Sequence, residues 1–236
     1  MLIADRALVD RVVLANRILY RQGVVDGFGH VSVRHDRSPE HFLLARNMAP
    51  GLVRRDDILT FDLAGEALDA QGRRVYLERF IHAEIYRARD DVHAVVHSHS
   101  PGVIPLGATR QPLRPIFHMC GFLGEGAALF EIRDVAGDTD LLISNGPLGV
   151  ALATALGARS AVLMRGHGST VVGSSLEQAV YRAIYAEINA RLQLQASQLG
   201  EVTYLTAQEA KKAAMMNDSQ LPRAWELWTR EIGAID

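Results

Sequence analysis

Apolar residues recur at helical spacing early in the chain: Leu8, Val12, Val13, Ala15 and Leu19 fall within residues 5–22 and predict an amphipathic helix. Gly23 and the run Asp26-Gly27-Phe28-Gly29 end it in a tight loop. The pattern then shortens to strands over Val31–Arg34, His41–Ala45 and Ile58–Asp62. Residues 63–75 read as a turn around Gly65 and a further short strand or loop. Phe80, Ile81, Ile85 and Tyr86 mark the apolar side of a helix over residues 78–89, and a buried strand follows over 92–97. The Gly- and Pro-containing stretch Pro101–Pro115 predicts irregular chain around a short helix. Leu141–Ser144 reads as a short strand, and 147–157 as a helix ending at Gly157. Ala161–Met164 and Ser169–Val172 read as two strands, and a long helix runs from Ser175 to Leu199. A helical tail begins near residue 201, with pieces near 206–217 and 221–231. Helices interleaved with strands predict an α/β fold with the sheet covered on both faces, taken as one domain over residues 1–236.

Composition narrows the function classes. The 236 residues are 48% hydrophobic and 22% charged, with 25 Lys and Arg against 27 Asp and Glu, which fits a globular protein of near-neutral charge. No basic stripe speaks for nucleic acid, and no apolar run is long enough to span a bilayer. The start, Met1-Leu2-Ile3-Ala4-Asp5-Arg6, lacks the pattern of a signal peptide. One cysteine, Cys120, leaves no internal disulfide framework and reads as buried filler. A cytoplasmic location is expected.

The chemistry gathers on histidines. The strand approaching residue 97 ends in His97-Ser98-His99, and alternation sends both imidazoles to one side. Two imidazoles so placed can chelate a divalent ion. His167 stands between Gly166 and Gly168, small neighbours that admit close backbone approach. Glu78 opens the preceding helix and is a candidate fourth ligand or general acid/base. Spacing alone does not join His167 to the pair. His82, one turn after Glu78, is expected to orient a neighbour by hydrogen bond. His93 reads as a surface or packing residue. Trp225 and Trp228 are expected to pack a tail helix onto the body or onto a partner subunit.

Three runs taken together, Gly29-His30-Val31-Ser32-Val33-Arg34, His97-Ser98-His99-Ser100 and Leu163-Met164-Arg165-Gly166-His167-Gly168, resemble the class II aldolase/adducin family over about residues 5–200. The resemblance implies a three-layer α/β/α sandwich with a central, mainly antiparallel sheet. It implies a divalent metal held by His97, His99 and His167, with Glu78 as ligand or acid/base, and homotetramers with active sites at subunit interfaces. Mn2+ is the expected metal on that ground, while the ligand set also suits Zn2+ or Co2+. Non-catalytic cytoskeletal members of the family lack this set.

The departures matter as much. The family's sugar-phosphate aldolases carry Asn where this chain has His30, and a Ser-Ser pair where it has Tyr76-Leu77. Their phosphate loop is replaced here by Arg46-Asn47-Met48-Ala49-Pro50, and their proton-donating Tyr falls at Met119. The pattern resembles the decarboxylase branch instead. The expected reaction is metal-dependent decarboxylation of a hydroxylated aromatic or pyridine dicarboxylate, first 3-hydroxy-2-methylpyridine-4,5-dicarboxylate, with 3,4-dihydroxyphthalate as rival. An aldolase or epimerase acting on a sugar or sugar phosphate is the other enzymatic reading. Candidate substrate contacts are Arg46, by a bidentate clamp on a carboxylate, Asn47 and His118. His30 is a candidate donor or acid, and Arg165 is as readily the partner of an acidic neighbour.

Overall fold

The computed structural model describes residues 4–235. Most of the predicted helices and strands are present. The strands are β1 (His30–His35), β2 (Ser38–Ala45), β3 (Ile58–Asp62), β4 (Ala94–Ser98), β5 (Ala128–Phe130), β6 (Ala161–Met164) and β7 (Gly168–Gly173). The helices are α1 (Arg6–Arg21), α2 (Arg79–Ala88), α3 (Val103–Thr109), α4 (Arg133–Ala136), α5 (Gly146–Leu156), α6 (Leu176–Leu199), α7 (Ala207–Asp218) and α8 (Leu221–Ile232). The strands form one sheet in the order β3-β2-β1-β4-β7-β6-β5. Every neighbouring pair is antiparallel except β5 with β6.

Alternation along the strands divides the core in two. Val31, Val33, Leu43, Ala94, Val96, Leu163 and Val171 face a layer containing Leu19 of α1, Leu106 of α3 and Ile184 of α6. Their neighbours Phe42, Leu44, Val95, Val162, Met164 and Val172 face Ile81 and Ile85 of α2 and Leu152 and Leu156 of α5. A sheet buried on both sides needs apolar residues at odd and even positions alike, which explains the near-continuous apolar runs of β4 and β6. The result is the expected three-layer α/β/α sandwich.

Capping side chains fix several helix starts. Asp5 accepts from the Ala7 N–H ahead of α1, and Ser175 from Gln178 ahead of α6. Thr206 and Glu209 form a reciprocal capping box at α7. The tail packs back on the body: Trp228 is buried in the α1/α6 core and Trp225 lies against it. Cys120 is buried, and its thiol donates to the Tyr185 carbonyl at 3.1 Å.

One expectation needs correction, and one strand went unpredicted. Leu141–Ser144 is not a strand; its backbone groups bond to side chains of the site described below. The strand β5 escaped the pattern because it is three residues long and half exposed. The run Met1-Leu2-Ile3, used above for the absence of a signal peptide, lies outside the described residues.

Candidate metal centre

Strand register assembles the site. β1 and β7 flank β4, placing His30 opposite His97, and Thr170 on its other side. His99 follows one residue after β4, and His167 sits in the turn between β6 and β7. That turn needs both glycines. Gly166 has φ +70°, and a Cβ on Gly168 would lie 2.1 Å from the Ser98 carbonyl oxygen. Glu78 occupies the N-cap of α2.

One ligand atom from each of Glu78, His97, His99 and His167 falls within 4.8 Å of all the others. The His99 Nε2 is 3.2 Å from His97 Nε2 and 3.0 Å from His167 Nε2. Glu78 Oε2 is 3.5 Å from His97 Nε2 and 3.4 Å from His167 Nε2. Bonds of about 2.0–2.1 Å to a shared tetrahedral ion separate ligand atoms by roughly 3.3 Å. The spacing therefore fits one divalent cation.

Hydrogen bonding also fits. His167 Nδ1 donates to the Leu141 carbonyl at 2.8 Å, so its Nε2 carries the lone pair. His97 Nδ1 faces Thr170 Oγ1 at 3.4 Å, while the Thr170 hydroxyl donates to Met164 sulfur. The Thr170 oxygen is thus an acceptor, and the His97 lone pair also points inward. Glu78 Oε1 accepts from the Ile143 N–H at 3.0 Å, which turns Oε2 to the imidazoles. Convergent lone pairs and a carboxylate repel one another unless a positive charge lies between them.

The protonation states of Glu78 and His99 agree. Burial pushes the Glu78 carboxyl upward, but His97 and His167 outweigh it and hold the group well below the ordinary carboxylate range. Burial pushes His167 down, and the Glu78 carboxylate more than reverses this. Burial, then His97 and His167, bring His99 down to about 4. An ionised carboxylate and a neutral His99 are the forms that bind metal.

The site opens into a cavity of about 330 Å³ whose walls include Phe28, His30, Asn47, Met48, Tyr76, Leu77, Glu78, His99 and Leu142. Large apolar and aromatic surfaces dominate, suiting a flat ring. The Tyr76 hydroxyl donates to the Met48 carbonyl at 2.5 Å, and burial pushes its pKa up to about 12. His30 and Asn47 lie on this wall. His30 Nδ1 meets His82 Nε2 at 2.6 Å, His82 Nδ1 meets Ser32 Oγ at 2.6 Å, and Ser32 Oγ meets Tyr86 Oη at 2.7 Å.

The structure does not bring Arg46 or His118 to this wall. Arg46 Nε donates to Asp57 Oδ1 at 2.6 Å, an acceptor next in space to the loop and invisible in the pattern. His118 is exposed and lines a different cavity of about 490 Å³, with Met119, Tyr181, Tyr185 and α8 residues. Arg165 makes a bidentate pair with Glu131, at 2.8 and 2.9 Å. His93 is exposed ahead of β4. Sequence reading missed the Leu141 carbonyl and the Ile143 N–H, whose roles belong to the backbone and leave no residue-type signal. It also missed Tyr76 and Met48 as cavity walls.

The sequence profile of the Class II Aldolase and Adducin N-terminal domain matches residues 10–194. The chain belongs to the class II aldolase/adducin family. Within the family it is 36% identical over 239 residues to Decarboxylase tropJ of Talaromyces stipitatus, covering 91% of this chain and 90% of that protein. It is 34% identical over 205 residues to the 3,4-dihydroxyphthalate decarboxylase of Arthrobacter keyseri, covering 81% and 79%. Among solved structures, L-fuculose 1-phosphate aldolase from Glaciozyma antarctica superposes with a TM-score of 0.77 at 25% identity, covering 94% of this chain and 88% of that one. Fold and family agree with the resemblance carried by the three histidine motifs, and the decarboxylases among its relatives agree with the branch.

Proposed function

We propose that this protein is a metal-dependent decarboxylase of a hydroxylated aromatic carboxylic acid. The observation that carries the reading is the convergence of Glu78, His97, His99 and His167 beside a cavity walled by Phe28, Met48, Tyr76, Leu77 and Leu142. The decarboxylase names of its relatives support the reaction class. A divalent cation held by these four residues supplies Lewis-acid polarisation of a substrate oxygen.

The chain's own groups do the rest. His97, His99 and His167 act as neutral ligands, oriented by Thr170 and Leu141. Glu78 is the ionised fourth ligand, steered by Ile143. A carboxylate held this far below its ordinary range is a poor proton store, so Glu78 acts as ligand rather than resting acid. His30 stands on the wall beside His97 and contacts the substrate. Leu77, Phe28 and Leu142 offer apolar surface to the ring. The overall change replaces the ring's carboxylate by a proton and releases CO2.

At finer grain, the proposed substrates are 3-hydroxy-2-methylpyridine-4,5-dicarboxylate and 3,4-dihydroxyphthalate, which both set a hydroxyl ortho to a carboxylate. Mn2+ is the proposed metal. A homotetramer with interface sites is the proposed assembly, supported by Phe28 and Leu77, large apolar side chains exposed at 70% and 60% at the cavity.

The test is CO2 release from both acids by purified protein with added Mn2+, beside a chelated sample. Chelator-sensitive release supports the reading, and the faster acid names the substrate. No release by protein shown to hold its metal overturns it and moves the aldol substrates forward, since the L-fuculose 1-phosphate aldolase shares this fold.

A further inference from the structure

The four-member chain His30–His82–Ser32–Tyr86 runs from the cavity wall into the layer between sheet and α2. His30 is 4% exposed, His82 and Ser32 are fully buried, and Tyr86 is 1% exposed, so each polar atom depends on the next. Resting on the decarboxylase reading above, we infer that Tyr86, Ser32 and His82 are positioning residues that hold His30 as a neutral imidazole with its proton on Nε2, a hydrogen-bond donor to a substrate oxygen.

The direction of the chain follows from counting hydrogens. The Tyr86 hydroxyl has one hydrogen, and its hydrogen-bonding side chain is Ser32. If Ser32 donated to Tyr86, the phenol hydrogen would be buried without that acceptor. Tyr86 therefore donates to Ser32. Ser32 then spends its hydrogen on His82 Nδ1, and His82 Nε2–H donates to His30 Nδ1. The His30 proton must lie on Nε2, the ring nitrogen left for the cavity. Burial keeps the His82 imidazole well below its ordinary pKa, at about 3.

The chain orients and does not conduct. Passing a proton along it would leave a tyrosinate at the buried end, and burial pushes the Tyr86 phenol far above its ordinary value. The proton consumed in each turnover must reach the ring from the open side of the cavity.

The test is the His30 tautomer, read by two-bond proton–nitrogen NMR correlations in protein loaded with diamagnetic Zn2+. The expected wild-type result is protonation at Nε2. Ser32→Ala and Tyr86→Phe should give a mixture of tautomers with unchanged metal content, and Ser32→Thr should restore the wild-type form. In turnover, the first two should lower kcat by about tenfold or more with little change in KM. A wild-type proton on Nδ1, or a tautomer that both variants leave unaltered, overturns the positioning claim. A tautomer shift with kcat intact overturns the donor role. Absence of decarboxylation in every sample overturns the reaction reading alone, because the tautomer is read without substrate.

Discussion

Ile143 and Glu78, 65 residues apart, are joined by a backbone hydrogen bond of 3.0 Å to Oε1 of the carboxylate. Two residues earlier, the Leu141 carbonyl accepts from His167 Nδ1. One short segment thus aims two of the four ligands. Leu141 adopts φ +70°, an unfavourable conformation for a branched residue, in doing so. Glu78→Gln keeps an oxygen for Ile143 but removes the negative charge facing His97 and His167. Turnover should fall by about a hundredfold or more, and metal affinity should weaken. Steady-state kinetics and metal titration read the two effects. Unchanged turnover at saturating metal would remove the charge from the mechanism.

Metal should stabilise the fold, since the ligands come from α2, β4, the turn before β7 and the chain after β4. A cation at a hundred times its Kd contributes about 2.7 kcal/mol, or roughly 5–11 °C in Tm for a chain of this length. Thermal melts with metal and with chelator should show that gap, and His99→Ala should close most of it. Identical melts in the native protein would count against a bound ion.

Much of the site was legible because it uses side chains at strand spacing. His97 and His99 share a face by alternation alone, and the glycines around His167 announced a crowded turn. Leu141–Ser144 misled for a physical reason: Leu, Leu and Ile look like a strand, but hydrogen-bond partners, not side-chain type, decide whether a segment joins a sheet. Here the partners are Glu78 and His167. The partner of Arg46 was not legible either, because the pairing with Asp57 forms only when β2 and β3 come together.

Arg46→Ala should therefore do little. The pair with Asp57 is partly exposed, with the Arg46 side chain at 37%, and such pairs contribute about 0–1 kcal/mol. Its kcat/KM should stay within about threefold, near the 1 kcal/mol scale of an ordinary contact. A loss of about a hundredfold, the scale of a severed charged contact to substrate, would show that the guanidinium leaves Asp57 to clamp a carboxylate.

Acid should unfold the metal-free protein through its buried imidazoles. His82 is held at about 3 and His30 well below its ordinary value by burial, against about 6.5 for an unfolded histidine. The unfolded chain takes up these protons first as pH falls. The His82 contribution is whole above pH 6.5 and is lost progressively toward pH 3, by about 1.4 kcal/mol per pH unit in that window, and His30 acts in the same direction. His167 runs oppositely, since its pKa is raised: its contribution is whole below the unfolded value and fades as pH rises through the folded one. His30, His82 and His99 outnumber it, so net stability falls between pH 6.5 and pH 5. Urea melts in chelator at pH 7, 6 and 5 should show midpoints falling with pH. His82→Gln should remove about one proton from the slope. A slope the variant leaves unchanged would mean that His82 is protonated in the folded state and donates from both ring nitrogens, and Ser32 would then have to donate to Tyr86.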